Sequence, residues 1–234
     1  MIYTVTFNPA LDYVMNLKEL QYKDINRTES EQLYYGGKGI NVSAILSRLG
    51  VDNIALGFLA GFSGRQIEEM LNAESINNDF VYLKKGYTRI NVKIKADEDY
   101  DINAQGPDIE ADEINALFDK LEKLQNGDFL VLAGSIPNSL PNDIYEEILA
   151  KLQNKGINFA VDATGDLLLN VLKYKPFLIK PNHHELGDIF GVEVKSEYEI
   201  AHYARKLQEM GALNVLVSRG SKGAILFTGE GEVF

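Results

Sequence analysis

Short apolar runs alternate along this chain with stretches in which apolar residues recur every three or four positions. Residues 2–7 read as a strand. Val42, Ile45, Leu46 and Leu49 then fall at i, i+3, i+4 and i+7, which predicts one face of a helix stopped by Gly50. Residues 53–60 predict the next strand, and Ile67, Met70 and Leu71 the helix after it. The second half keeps the same rhythm. Ile114, Leu117, Phe118, Leu121 and Leu124 form a helical stripe ended near Gly127, and residues 129–133 are a continuous apolar run of the kind buried on both faces of a parallel sheet. Ile144, Ile148, Leu149 and Leu152 predict a helix leading to a strand at 157–161. A strand at 177–179, a helix at 196–210 and strands at 215–218 and 224–227 follow. The 196–210 helix opens with Ser196 and Glu199 at capping-box spacing. Repeated βα units imply a parallel, three-layer α/β/α architecture with ligands at the carboxyl ends of its strands.

Two segments break the rhythm. Residues 26–35 and 89–104 are strand-like but mixed in polarity, with Ile90, Val92, Ile94 and Ala96 alternating against Asn91, Lys93 and Lys95. They predict a small antiparallel sheet standing off the main one, or an extra hairpin at its edge. An isolated small sheet is marginal in water, so an apolar outer face predicts cover by another subunit. There is no internal repeat, low-complexity tract or linker, and the expectation is a single α/β domain over 1–234 with strands inserted at about 13–35 and 88–105.

Composition narrows the chemistry. The chain has no cysteine and three histidines (His183, His184 and His202), which sets aside disulfides, thiolate catalysis and a histidine-rich zinc centre. No apolar run approaches the roughly 20 residues that span a bilayer. The first residues lack a basic region before reaching Asn8 and Pro9, so the expectation is a cytoplasmic protein without a membrane partner. A formal net charge of −11 opposes nucleic-acid binding, and any phosphate ligand would need cations concentrated locally.

Two motifs carry candidate chemistry. Tyr35-Gly36-Gly37-Lys38-Gly39-Ile40-Asn41 opens a helix, where backbone N–H groups, the helix N-terminus and Lys38 can meet an anion. It is neither a P-loop nor a dinucleotide fingerprint, and a glycine-rich turn before a helix is often structural. Asn8-Pro9-Ala10-Leu11-Asp12 follows the first strand and puts a carboxylate where it can accept bonds from two hydroxyls, or serve only as a turn or cap.

Together these motifs strongly resemble the ribokinase-like (PfkB-type) carbohydrate kinases. The resemblance continues in family order through Thr88-Arg89-Ile90-Asn91, Gly134-Ser135-Ile136-Pro137, Asp162, Lys180-Pro181-Asn182-His183-His184-Glu185 and Ser218-Arg219-Gly220-Ser221-Lys222-Gly223, and so covers essentially the whole chain. It implies a ribokinase-like fold with a β-sheet lid and ATP-dependent phosphorylation of a sugar or sugar phosphate; the apolar outer face of that lid adds the expectation of a homodimer formed through it. Asp101-Ile102-Asn103-Ala104-Gln105-Gly106-Pro107 is more similar to 1-phosphofructokinases than to tagatose-6-phosphate kinases. The implied reaction is phosphorylation of fructose 1-phosphate to fructose 1,6-bisphosphate. Tagatose-6-phosphate or fructose-6-phosphate kinases share this machinery, and a catalytically silent sugar-phosphate sensor is the reading from another class.

The resemblance also implies roles. Asp12, Gly37 and Asn41 would hold sugar hydroxyls, with Asn103 and Ser135 beside them. Lys38 and Arg89 would meet the phosphate already on the substrate, Arg89 being suited to bidentate contact. Lys180, Ser218, Gly220 and Gly223 would bind ATP, and Asn182 and Glu185 would organise Mg2+ through water. His183 and His184 are expected at the surface, not as metal ligands. Relatives carry a Gly-Ala-Gly-Asp motif whose amides stabilise the moving phosphoryl group and whose Asp is the base. This chain contains none, so the expectation is a base beyond Phe234, a fold lacking its C-terminal part, and weak turnover.

Overall fold

The first apolar run becomes β1 (Ile2–Thr6), whose last three residues are buried. The computed structural model, which describes residues 1–233, forms two units. An N-terminal unit comprises Thr4–Leu117 with Gly134–Leu140; a C-terminal unit comprises Met1–Tyr3, Phe118–Ala133 and the chain from Pro141 onward.

In the N-terminal unit the order after β1 is β2 (Ala10–Asn16), β3 (Ser30–Gly36), α1 (Lys38–Arg48), β4 (Asn53–Leu59), α2 (Gly61–Ala73), β5 (Val81–Tyr82), β6 (Arg89–Lys95), β7 (Asp99–Ile102) and α3 (Ala111–Leu121). One apolar cluster joins Leu11 of β2, Ile40 and Ala44 of α1, Ala55 and Leu59 of β4, and Ile67 and Leu71 of α2. Because side chains alternate along a strand, burying Leu11 turns Asp12 to the opposite face of β2. The sequence pattern misplaces the buried face of α1. Ile45 and Leu49 of the predicted stripe are 53% and 72% exposed, while Gly39, Ile40, Ser43 and Ala44 are buried. Small residues win that face because α1 lies against β1, where a Cβ on Gly39 would stand 2.5 Å from Thr6 Oγ1 and 2.8 Å from Val5 O.

The second sheet has the order β3-β2-β6-β7. Its outer pairs are antiparallel, as expected. Its central pair is parallel, from Ala10↔Arg89 to Asn16↔Lys95, which corrects the expectation of an antiparallel sheet. β2 and β6 are each entered from the same end, so they run side by side in one direction. β2 itself begins directly after Pro9, inside the segment read as a turn; the proline forfeits only a donor preceding the strand.

The C-terminal unit contains β8 (Phe129–Ala133), α4 (Ile144–Leu152), β9 (Asn158–Asp162), α5 (Gly165–Leu169), β10 (Leu178–Ile179), α6 (His183–Phe190), α7 (Glu197–Glu209), β11 (Val215–Ser218), β12 (Ala224–Thr228) and β13 (Gly231–Val233). β8 to β11 pair in parallel, as the repeated βα units require. β11 with β12 and β12 with β13 pair antiparallel, because the connections 219–223 and 229–230 are too short for a crossover, which takes a dozen or so residues. The predicted capping box forms at α7, where Ser196 Oγ accepts from Glu199 N at 3.2 Å.

Candidate functional site

Asp12, Gly37, Lys38, Asn41, Arg89, Asn103 and Ser135 all belong to the N-terminal unit. Asp12 is the third residue of β2, with Tyr34 of β3 on one side and Asn91 of β6 on the other. Asn91 Nδ2 donates to Asp12 Oδ1 at 2.8 Å. Gly37 caps α1 at φ 122, and a Cβ there would stand 2.7 Å from Thr6 Cγ2, so any other residue is both strained and obstructed. Ile40 N donates to the buried Thr6 Oγ1 at 2.9 Å, which anchors the first turn of α1 to β1. Lys38 is the first residue of that turn, and its aliphatic stem runs alongside Gly134, next to Ser135. Asn41, Asn103 and Ser135 are exposed.

Arg89 opens β6, and its guanidinium gathers backbone carbonyls from distant parts of the chain. Nη2 donates to Asn8 O at 3.0 Å, Nη1 to Ala104 O at 3.3 Å, and Nε to Pro9 O at 3.4 Å. Burial pulls the guanidinium below its ordinary pKa, with the Asp12 carboxylate opposing the shift. It remains a cation at neutral pH. The motif beginning at Asn8 and the one centred on Arg89 thus meet through main-chain oxygens. Asn8 Nδ2 also donates to Gln105 O at 3.0 Å, while its buried Oδ1 has no hydrogen-bond partner. Asn138 Nδ2 donates to Gln105 Oε1 at 3.1 Å, tying the turn after Ser135 to the segment after Asn103. The sequence reading gave Asn8, Asn91 and Gly36 no role of their own. The only available signal was their place inside the matched blocks.

Lys180, Asn182, Glu185, Ser218, Gly220 and Gly223 all belong to the C-terminal unit. Lys180 follows β10, and its ammonium lies 3.3 Å from Asp162 Oδ2 at the end of β9. Burial, with Asp162 nearby, pushes the Tyr145 phenol up, which keeps it neutral in this cluster. Ser218 N donates to Pro181 O at 3.1 Å, so the end of β11 sits beside the start of α6. Asn182 caps α6: its Oδ1 accepts from His184 N at 2.8 Å and Glu185 N at 2.9 Å, and Glu185 Oε2 accepts from Asn182 N at 2.7 Å. Beyond β11, Gly223 closes a tight turn at φ 81, with open space where a side chain would project. Arg219 braces that turn, its N donating to Gly223 O at 2.8 Å and its Nη2 to Lys222 O at 2.8 Å. The His183 and His184 rings lie against each other at a tilt of 40°, centroids 3.9 Å apart.

The donor set limits how a divalent cation could bind. Among the described residues there is no group of three or more His, Asp or Glu side chains arranged to hold a metal ion. Asn182 Oδ1 and one Glu185 oxygen are committed to the cap, which leaves a single carboxylate oxygen. That suits Mg2+ held through its own water shell and does not suit a protein cage.

Residues 5–234 match the profile described as pfkB family carbohydrate kinase. The 1-phosphofructokinase of Bacillus subtilis strain 168 is 45% identical over 234 residues, which is 100% of this chain and 77% of that protein. A D-tagatose-1-phosphate kinase of Bacillus licheniformis is 40% identical over 226 residues, covering 96% of this chain and 74% of that one. Among solved structures, Escherichia coli phosphofructokinase-2 in complex with fructose-6-phosphate superimposes with a TM-score of 0.93 at 26% identity, covering 99% of this chain and 78% of that chain. The motifs, the α/β fold and these likenesses over the full length agree, and the chain belongs to the pfkB family of carbohydrate kinases.

Proposed function

We propose that this sugar kinase transfers a phosphoryl group from MgATP to the 6-hydroxyl of fructose 1-phosphate, giving fructose 1,6-bisphosphate. The observation that carries the reading is Arg89. A half-buried guanidinium held by three main-chain carbonyls, beside a carboxylate, keeps N–H donors for an anion. A kinase for an uncharged sugar would not need it. The name and 45% identity of the Bacillus subtilis relative support the 1-phosphate.

In this reading Asp12, Gly37, Asn41, Asn103 and Ser135 bind and orient the sugar, and Lys38 joins Arg89 on its phosphate. Lys180, Ser218, Gly220 and Gly223 receive ATP. Asn182 and Glu185 hold the hydrated Mg2+ that accompanies it. ATP supplies the phosphoryl group and Mg2+ offsets its charge; the protein's part is orientation and charge stabilisation. The base that takes the proton from the attacking hydroxyl is assigned to none of residues 1–233. A need for MgATP supports cytoplasmic residence, and among the described residues no helix is long and apolar enough to cross a membrane. The exposed outer residues of the second sheet support a homodimer in which that sheet acts as the lid.

The D-tagatose-1-phosphate kinase relative favours a second reading, the epimeric 1-phosphate. Calorimetric binding of fructose 1-phosphate, tagatose 1-phosphate, fructose 6-phosphate and tagatose 6-phosphate, each followed by ADP release with MgATP, separates them. Fructose 1-phosphate is expected to bind tightest. Preference for tagatose 1-phosphate would install the second reading, and preference for a 6-phosphate would overturn both.

A further inference from the structure

Asn91 is a buried polar residue that these roles leave out. It lies on β6 directly opposite Asp12 of β2 and is 6% exposed. Nδ2 donates to Asp12 Oδ1 at 2.8 Å, and Oδ1 accepts from Ala104 N at 3.1 Å. One partner is acceptor-only and the other donor-only, so the amide has a single usable orientation. On the far side of the carboxylate, Asp12 Oδ2 lies 3.0 Å from where a Cβ on Gly36 would stand. The carboxylate is therefore seated between the glycine backbone of β3 and the amide of β6, with one oxygen committed and the other left over.

We infer that Asn91 is a positioning residue for Asp12, holding its carboxylate in the one rotation that presents Oδ2 to the sugar hydroxyls. This rests on the reading of Asp12 as the hydroxyl acceptor. The terminal torsion of an aspartate is broad, so a carboxylate without such a partner samples many orientations. Fixing it beforehand removes that ordering cost from binding. The same amide also holds Ala104, the neighbour of Asn103, so both sides of the sugar position depend on one side chain.

Asn91→Asp tests this with nearly the same shape. While protonated, the introduced carboxyl donates to Asp12 and accepts from Ala104 N, as the amide does. Once ionised, it places two carboxylates together, a pair that resists full ionisation. The charged and titratable neighbours are Arg89 on β6, Lys93 with its partner Asp101 of β7 at 3.5 Å, and Tyr34 opposite Asp12 on β3. The helix α2 packs on the other face of β2, where its Ile67 and Leu71 join Leu11 in the apolar cluster.

Fructose 1-phosphate binding to both proteins is titrated calorimetrically from pH 5 to pH 9 without nucleotide. The ratio of the two affinities cancels the titration of the substrate's own phosphate. The variant is expected to match the natural protein at pH 5 and to bind at least tenfold more weakly than it by pH 9. A ratio that stays constant, whether near one or uniformly low, overturns the inference. Urea unfolding of both proteins over the same range needs no ligand. If the natural protein binds none of the four sugar phosphates, the substrate reading fails. In that case a pH-dependent loss of stability in the variant alone would keep the Asp12–Asn91 lock, and a pH-independent difference would remove it. A variant that loses stability with pH while its binding ratio holds steady would also sink the positioning role.

Discussion

Arg89 shows how a side chain can be legible by type and not by environment. Its place in Thr88-Arg89-Ile90-Asn91 suggests a phosphate ligand, but nothing in that spacing says that Asn8 O and Pro9 O, some 80 residues earlier, fill part of its fork. Five donors with three spent on carbonyls still leave enough for one bidentate contact. Arg89→Ala is therefore expected to weaken fructose 1-phosphate binding roughly 10- to 100-fold, the range for hydrogen bonds to a charged group. MgATP affinity should stay nearly unchanged. Calorimetry with each ligand decides the point: equal losses for both would mean that Arg89 serves only to hold the Asn8–Pro9 segment. Asp12 was legible as a carboxylate after a strand, whereas its lock was not. The partner Asn91 is adjacent only because β2 and β6 pair in parallel and in register.

At the scale of elements, one cap was legible and faces were less so. The spacing of Ser196 to Glu199 predicts a helix start, and that capping box forms; a second forms at Asn182 and Glu185, which the sequence reading offers only as a Mg2+ pair. The second pair is also the pair proposed for Mg2+, and the two roles are compatible because the cap uses one Glu185 oxygen. Asn182→Ala removes the acceptor of two helix N–H groups and should cost about 1 kcal/mol of stability in urea unfolding. Asn182→Asp, which keeps the acceptor, should restore most of it. No change with alanine would mean that water replaces the cap at no cost. Periodicity picked the wrong face of α1, because it counts apolar residues and cannot see that β1 approaches Gly39 and Ser43 closely. The parallel centre of the second sheet was missed for a related reason. Alternation predicts strands, but their direction depends on how the chain enters them.

For the molecule as a whole, a formal charge of −11 makes the placement of cations decisive. Lys38 and Arg89 lie in the N-terminal unit and Lys180 and Arg219 in the C-terminal unit. In the proposed reading, Lys38 and Arg89 of the first unit and Lys180 of the second are the cations that meet phosphate. On one face the second sheet leaves Leu33 43% and Ile102 59% exposed. Such residues on a four-stranded sheet are better buried against a second copy than left in water. Light scattering at micromolar concentration should give twice the 26.1 kDa chain mass, and Leu33→Asp should return it to one. A monomer at every concentration would remove the dimer from the proposal.

By itself the sequence determined the α/β class, most strands and helices, the cap of α7, and the family to which the ordered motifs belong. Those features are local: they follow from periodicity, from residue types at helix starts, and from short blocks whose order along the chain is itself information. Only the tertiary structure decided that Asp12 stands inside a strand, that Asn91 holds its carboxylate, that Arg89 is braced by carbonyls from the chain's beginning, and that Asn182 and Glu185 spend most of their acceptors on a helix cap. The first three depend on strand direction and register, which bring together residues far apart in the chain; the last depends on how the chain enters α6. A shift of one position would turn Asp12 into the core and Leu11 into its place.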